Sequence, residues 1–275
     1  MESKLTENHI TSKPDTLKVY FEKIWKFRSL IWVLAKRDLK VKYAQTFLGI
    51  AWTLIQPLTA TIIFSFFFGY VLKWKTENLP YPLYVLSGLL GWNFFSYIVN
   101  AGVSSVQESS HLIKKIYFPK SILPLSKVLV ALVEFCVSLF VLIPLVLFYG
   151  QSLNWKITLF PLALLFNAIC ALTLVFWIAA FAHKKRDLFH VLPFIVYFGI
   201  WLTPVFFSNL ILPTTLQTIL HFNPMANVVN IWRWLLFDFG KFQIYWIYSF
   251  FLMLLFCLIG MFFYNVKENK FTDFV

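Results

Sequence analysis

Charge is scarce in this chain of 275 residues: 13% are Asp, Glu, Lys or Arg, where a soluble domain carries about 25%. Hydrophobic residues make up 60%. Too little polar surface remains to cover a water-soluble globule, and disorder is excluded for the same reason. Cysteine is also rare. Cys136, Cys170 and Cys257 lie scattered in apolar runs without a CxxC, which argues against a disulfide framework or a zinc site. They are expected to be small buried apolar residues. None of the five histidines stands at metal-ligand spacing from Asp, Glu or Cys. The chain lacks GxxxxGK[ST], HExxH and GxSxG, so it has no loop to cradle ATP phosphates and no familiar hydrolytic motif. It is expected to bind no metal or cofactor of its own. No apolar core followed by a cleavage motif occurs in residues 1–42, so the first hydrophobic run is expected to stay in the mature protein.

What is present is long apolar runs. A transmembrane helix needs about 20 mostly apolar residues, and six runs qualify: 43–72, 78–107, 128–155, 157–182, 191–220 and 242–266. They are continuously apolar, without the alternation of a membrane barrel. The first, second and fifth exceed one straight span, so interfacial ends or breaks are expected. The fifth holds Pro193, Pro204 and Pro213. The expected class is an all-α integral membrane protein with six transmembrane helices. Residues 1–42 form a cytoplasmic segment, 43–266 the membrane domain and 267–275 a cytoplasmic tail.

Orientation follows from the basic residues. Of 24 Lys and Arg, nineteen lie in 1–42, 108–127, 183–190 and the tail. The opposite side has five: Lys73, Lys75, Lys156, Arg233 and Lys241. Both termini are therefore expected in the cytoplasm. Most of the net charge of +12 then orients the chain and meets the membrane surface, rather than binding nucleic acid.

Three connecting segments carry further information. Leu30, Val33, Leu34 and Val41 form an imperfect apolar stripe interrupted by Arg37. It suits an amphipathic helix on the cytoplasmic leaflet; a solvated charged arm is the alternative. The loop 108–127 sets Leu112, Ile113, Ile116, Tyr117 and Phe118 among lysines, with Pro119 and Pro124 keeping any helix short. Such a patch can dock a partner or lie on the bilayer. The external stretch 208–241 is too apolar for a plain loop, and Asn223-Pro224 divides it into two pieces too short to span. Two short re-entrant or interfacial helices at a gate or pore mouth are expected. Glu134 is the one acidic residue within a span. Intramembrane carboxylates are functional by default, and a structural or gating ion pair suits it better than proton coupling. The 56 aromatic residues include 33 Phe. Most serve lipid contact or packing, though their excess also fits a passage for a bulky amphipathic substrate.

The order of several blocks resembles one family. They are Arg37-Asp38-Leu39-Lys40-Val41-Lys42-Tyr43, then 46–52 ending in Trp52, and Gln56-Pro57. Leu112-Ile113-Lys114-Lys115-Ile116-Tyr117-Phe118-Pro119 follows, with Leu123-Pro124-Leu125. Arg186-Asp187, Leu192-Pro193-Phe194, Asn223-Pro224-Met225 and the tail 271–275 complete the set. Over about residues 20–275 the chain resembles the membrane subunit of polysaccharide-exporting ABC transporters, which serve O-antigen, capsule and teichoic acid. The approach to the fifth span departs from the family's pattern, and only Arg186-Asp187 carries over.

The resemblance implies type-2 ABC exporter architecture: a homodimer with a pore on its axis, each chain binding one separate ATP-binding subunit that holds ATP and Mg. The cargo would be a glycan on undecaprenyl diphosphate, leaving the bacterial cytoplasmic (inner) membrane. Leu112, Ile113, Lys114, Lys115, Tyr117, Phe118 and Pro119 correspond to the segment that docks on the ATP-binding subunit. Arg37, Lys40, Lys42, Tyr43 and Trp52 lie where the lipid-linked sugar enters; ordinary anionic-lipid contact is the alternative for each basic residue. Asn223, Pro224, Trp232 and Arg233 fall in the external gate helices. Competing readings are a type-2 exporter of drugs or other lipids and a membrane-embedded glycan-modifying enzyme. The chain purified alone is expected to show no ATP hydrolysis; activity above the detergent blank would remove the permease reading.

Overall fold

The computed structural model describes residues 16–44, 49, 51–74, 76, 79–152, 154–182 and 187–268. Among these the secondary structure is helical, without strands. In chain order the helices are α1 Leu17–Lys26, α2 Arg28–Ala44, α3 Ala51–Phe64, α4 Tyr81–Glu108, α5 Ser110–Lys115 and α6 Ile122–Phe148. Then come α7 Phe160–Ala182, α8 Leu188–Gly199, α9 Thr214–His221, α10 Pro224–Phe237 and α11 Ile244–Lys267. A π-helical segment, Ser65–Val71, extends α3, and a 3-10 turn, Trp155–Leu159, leads into α7. Among the described residues five stretches are long and apolar enough to cross a membrane: Ala51–Val71, Tyr81–Glu108, Ile122–Phe148, Trp155–Phe181 and Ile244–Lys267. Residues 46–48, 50, 183–186 and 269–275, which carry parts of the family blocks, lie outside the described residues.

The centre of the bundle is α4, which packs against α3, α6, α7, α8 and α10. Most of its side chains are buried, so this helix is largely surrounded by protein. Close approach depends on glycine. A Cβ on Gly91 would lie 2.7 Å from Trp232 Cδ1, and one on Gly88 would lie 2.9 Å from Arg233 Nη2. Trp232 of α10 then reaches Phe135 of α6 and Phe160 of α7, each with ring centroids 5.0 Å away. One indole thus joins three spans to α10. By contrast, α3 with its π-helical extension is mostly exposed, with Ile62, Phe66, Phe67 and Tyr70 uncovered.

The fifth apolar run differs from a span. Here α8 has 12 residues, about 18 Å at helical rise, short of a bilayer core of about 30 Å. The chain then runs through turns to Ser208. Pro204 lies in these turns, and Pro213 is the N-cap of α9. Among the described residues, five helices of spanning length and one short apolar helix therefore stand where six runs were expected. The division at Asn223-Pro224 matches its reading. Asn223 caps α10 by accepting from the N–H groups of Met225 and Ala226, and Pro224 takes the first helical position, where an N–H would be unbonded anyway.

Of the apolar stripe expected at the N-terminus, Val33 and Val41 are exposed and Leu34 is buried. The covered face of α2 runs through Ile31, Leu34, Ala35 and Asp38, because α2 packs on α6 instead of only lying on lipid. Cys170 and Cys257 are buried as expected, while Cys136 is exposed on the outward side of α6, next to buried Phe135.

Gly91→Ala is expected to lower stability by about 1–3 kcal/mol through overpacking. Thermal melting in detergent should show the loss, and adding Trp232→Phe should recover part of it.

Candidate functional site

At the end of the bundle holding α5, α2 and α6 run side by side and share a ladder of opposite charges. Asp38 and Lys42, one helical turn apart on α2, face Lys127 and Glu134, two turns apart on α6. Lys127 Nζ lies 2.9 Å from Asp38 Oδ2 and 3.1 Å from Glu108 Oε2. Arg37 donates to Asp38 Oδ1 from Nε at 2.9 Å and from Nη2 at 2.7 Å. Ser104 Oγ donates to Glu108 Oε1 at 2.8 Å. On the other rung Lys42 Nζ pairs with Glu134 Oε1. The same ammonium stands 4.6 Å from the Tyr97 ring centroid, within cation–π range. Tyr43 Oη lies 3.0 Å from Thr53 Oγ1 and 3.4 Å from Glu134 Oε1. Glu134 thus has its cation from another segment, and that cation is one of the residues singled out for substrate entry.

Beside this rung a cavity of about 380 Å³ opens between α3, α4 and α6, with Lys42 and Glu134 in its wall. A second recess of about 520 Å³ lies between α3, α4 and α8. Gln56, Pro57, Asn93, Ser96 and Asn100 line both. Asn93, Ser96 and Asn100 fall at helical spacing, so α4 presents a polar edge to two adjoining recesses. Tyr97 and Phe94 lie in the first, Trp92, Tyr197 and Trp201 in the second. Amides and hydroxyls can donate and accept hydrogen bonds in either direction, and aromatic faces offer stacking surfaces. Sequence reasoning missed this edge because it searched for charge. The readable signal is three polar residues at positions i, i+3 and i+7 of an apolar run.

The loop 108–127 divides by exposure. Lys114, Lys115, Ile116 and Tyr117 are exposed, Leu112 is half-buried, and Ile113, Phe118 and Pro119 are buried. The buried three anchor the loop, and the exposed four form its outer face. Beneath it, Lys120 Nζ donates to the main-chain oxygen of Glu268, and the Lys120 N–H donates to Glu268 Oε2 at 3.2 Å. Tyr20 of α1 donates to the same carboxylate oxygen at 2.6 Å. Burial, with the Glu268 carboxylate second, pushes the Tyr20 phenol well above its usual pKa, so it stays a donor at neutral pH. Among the remaining entry candidates, Lys40 and Trp52 are exposed.

The turns after α8 are held by side chains. Asn223 Nδ2 donates to Leu202 O at 3.2 Å, and Arg233 Nη2 to Val205 O at 2.8 Å. Tyr81 Oη donates to Phe206 O at 2.6 Å, and Tyr84 Oη to Phe207 O at 2.7 Å. Arg233 also donates to Tyr84 O and stacks 3.5 Å from the Tyr84 ring centroid. Trp232 and Arg233, singled out as gate residues, are fully buried and bind α10 to α4 instead of facing an opening.

Lys127→Met is expected to lower stability by about 1–3 kcal/mol, because Asp38 Oδ2 loses its donor in a poorly solvated position while Arg37 still holds Oδ1. Thermal melting checks this, and Lys127→Arg, which keeps a cation between Asp38 and Glu108, should retain most of the stability.

Residues 29–237 match the ABC-2 type transporter family. The chain is 30% identical over 217 residues to the O-antigen export system permease protein RfbA of Myxococcus xanthus, covering 78% of this chain and 83% of that protein. A Klebsiella pneumoniae protein of the same name is 26% identical over 250 residues, covering 89% and 94%. The polysialic acid transport protein KpsM of Escherichia coli is 24% identical over 210 residues, covering 72% and 77%. A family match across most of the sequence agrees with the multi-pass helical bundle, and this chain belongs to the ABC-2 type transporter family.

Proposed function

We propose that the chain is the permease subunit of an ABC transporter that exports an undecaprenyl-diphosphate-linked polysaccharide, most closely an O-antigen, across the bacterial cytoplasmic membrane. The observation that carries this reading is the polar edge of α4, with a cation at one end, inside a strongly apolar bundle. Amide, hydroxyl and aromatic groups suit a glycan, and basic groups suit its diphosphate. Similarity to O-antigen export permeases runs along up to 89% of the chain. The KpsM similarity favours a second reading, capsular polysaccharide export, on the same machinery.

In this reading two copies associate through the exposed apolar faces of α3 and α8, which border the groove. Each copy binds one ATP-binding subunit, which supplies ATP and Mg chemistry, through Lys114, Lys115, Ile116 and Tyr117. The broken α8 segment serves as the sixth crossing, which returns both termini to the cytoplasm. Helices α9 and α10 form a re-entrant external gate with Asn223-Pro224 as its hinge; α10 has 14 residues, about 21 Å, too short to cross. Arg233 and Trp232 are the gate's attachment to α4.

Deletion of the gene in its host should leave lipid-linked glycan on the cytoplasmic side and remove long glycan from the surface. Intact glycan export with loss of small-molecule efflux would overturn the reading. Tyr117→Ala with Ile116→Ala should reduce recovery of the ATP-binding subunit in a pull-down by roughly tenfold, the effect of about 1.4 kcal/mol, without lowering the melting temperature.

A further inference from the structure

The two rungs of the α2–α6 ladder are unequal. The Lys127 side chain is 7% exposed and is shared between Asp38 and Glu108. The Lys42 side chain is 42% exposed, while that of its partner Glu134 is 16% exposed. One rung is closed, and the other offers its cation outward while its anion sits inside. Lys42 is also the cation in the wall of the cavity that continues along Asn93, Ser96 and Asn100.

We propose that Glu134 is an internal competitor for Lys42, holding the ammonium until the diphosphate of a lipid displaces it at the mouth of the groove. This rests on the export reading above and assigns a specificity role within it. An exchange of one anion for another keeps the Lys42 ammonium paired throughout. A diphosphate carries more charge than a carboxylate and has more acceptor oxygens, so it can win the exchange. A neutral lipid cannot. The displaced carboxylate has a second donor at hand, since Tyr43 Oη already lies 3.4 Å from Glu134 Oε1. The Tyr97 face, 4.6 Å from Lys42 Nζ, keeps the ammonium in place during the exchange. A bound diphosphate would then stand beside the polar edge of α4, where the first sugars of a glycan would follow.

The test uses the full chain in phosphatidylcholine nanodiscs, titrated with farnesyl diphosphate, inorganic diphosphate and farnesol. Glu134→Gln keeps the shape and removes the competing charge. It is expected to bind farnesyl diphosphate roughly threefold to tenfold tighter than wild type. Lys42→Met should lose the binding, Lys42→Arg should keep it, and the double variant Glu134→Gln with Lys42→Met should gain nothing over Lys42→Met. Farnesol should not bind at this site. Farnesyl diphosphate binding more tightly than inorganic diphosphate marks a lipid headgroup as the source; equal affinity marks free diphosphate and overturns the lipid assignment. Unchanged or weaker binding by Glu134→Gln, with an unchanged melting curve, overturns the competitor role. Tighter binding by Glu134→Gln in a protein whose gene deletion leaves surface glycan intact would sustain the anion exchange and remove the export reading.

Discussion

An interrupted helix in an apolar bundle leaves carbonyl groups that need donors, because hydrocarbon offers none. Here that demand falls on residues 202–207. Four side chains meet it: Asn223, Arg233, Tyr81 and Tyr84 each donate to one of these carbonyls. Two come from the α9–α10 region and two from the start of α4. The break therefore ties the short helices to the central span. Gly88 and Gly91 permit the approach, since any side chain there would meet Arg233 or Trp232. A guanidinium with carbonyl partners and a tyrosine face shows how a lone cation is kept in such an interior without a carboxylate beside it among the described residues.

The other end of the bundle solves a different problem. Charges must hold α2 against α6, yet leave some groups accessible. Lys127 is enclosed by Asp38 and Glu108, which fixes the packing. Lys42 keeps its outer side open and continues into the polar recesses. Nearby, the Lys120–Glu268–Tyr20 cluster joins the base of the exposed loop to α1 and the end of α11. Buried hydrogen bonds beneath the exposed loop suit the coupling role proposed for it.

Much of this was legible in advance where a local property decides structure. Asn223-Pro224 marks a helix start because the Asn side chain caps and the Pro lacks an N–H, and α10 begins there. Lysines and prolines around 112–119 indicated a short helix with an accessible face, and α5 is followed by exposed Ile116 and Tyr117. The protein contact of α2 was not legible: the stripe through Val33 and Val41 pointed to the bilayer, while the face through Ile31, Leu34, Ala35 and Asp38 is covered by α6, far along the chain. Asn93, Ser96 and Asn100 were overlooked because neutral polar residues barely alter the hydropathy of a long span.

By itself, the sequence determined that the chain is helical and membrane-embedded. Those properties follow from composition summed over some twenty residues, which no tertiary contact overrides. Only the tertiary structure decided which charges are spent on packing. Lys42 meets Glu134 across 92 positions, and Arg233 meets Tyr84 across 149. A pairing over such distances depends on helix rotation and close approach, and a side chain's partner is written in neither its type nor its neighbours. The sequence thus displays the net charge of +12, and packing assigns the division of labour among its residues.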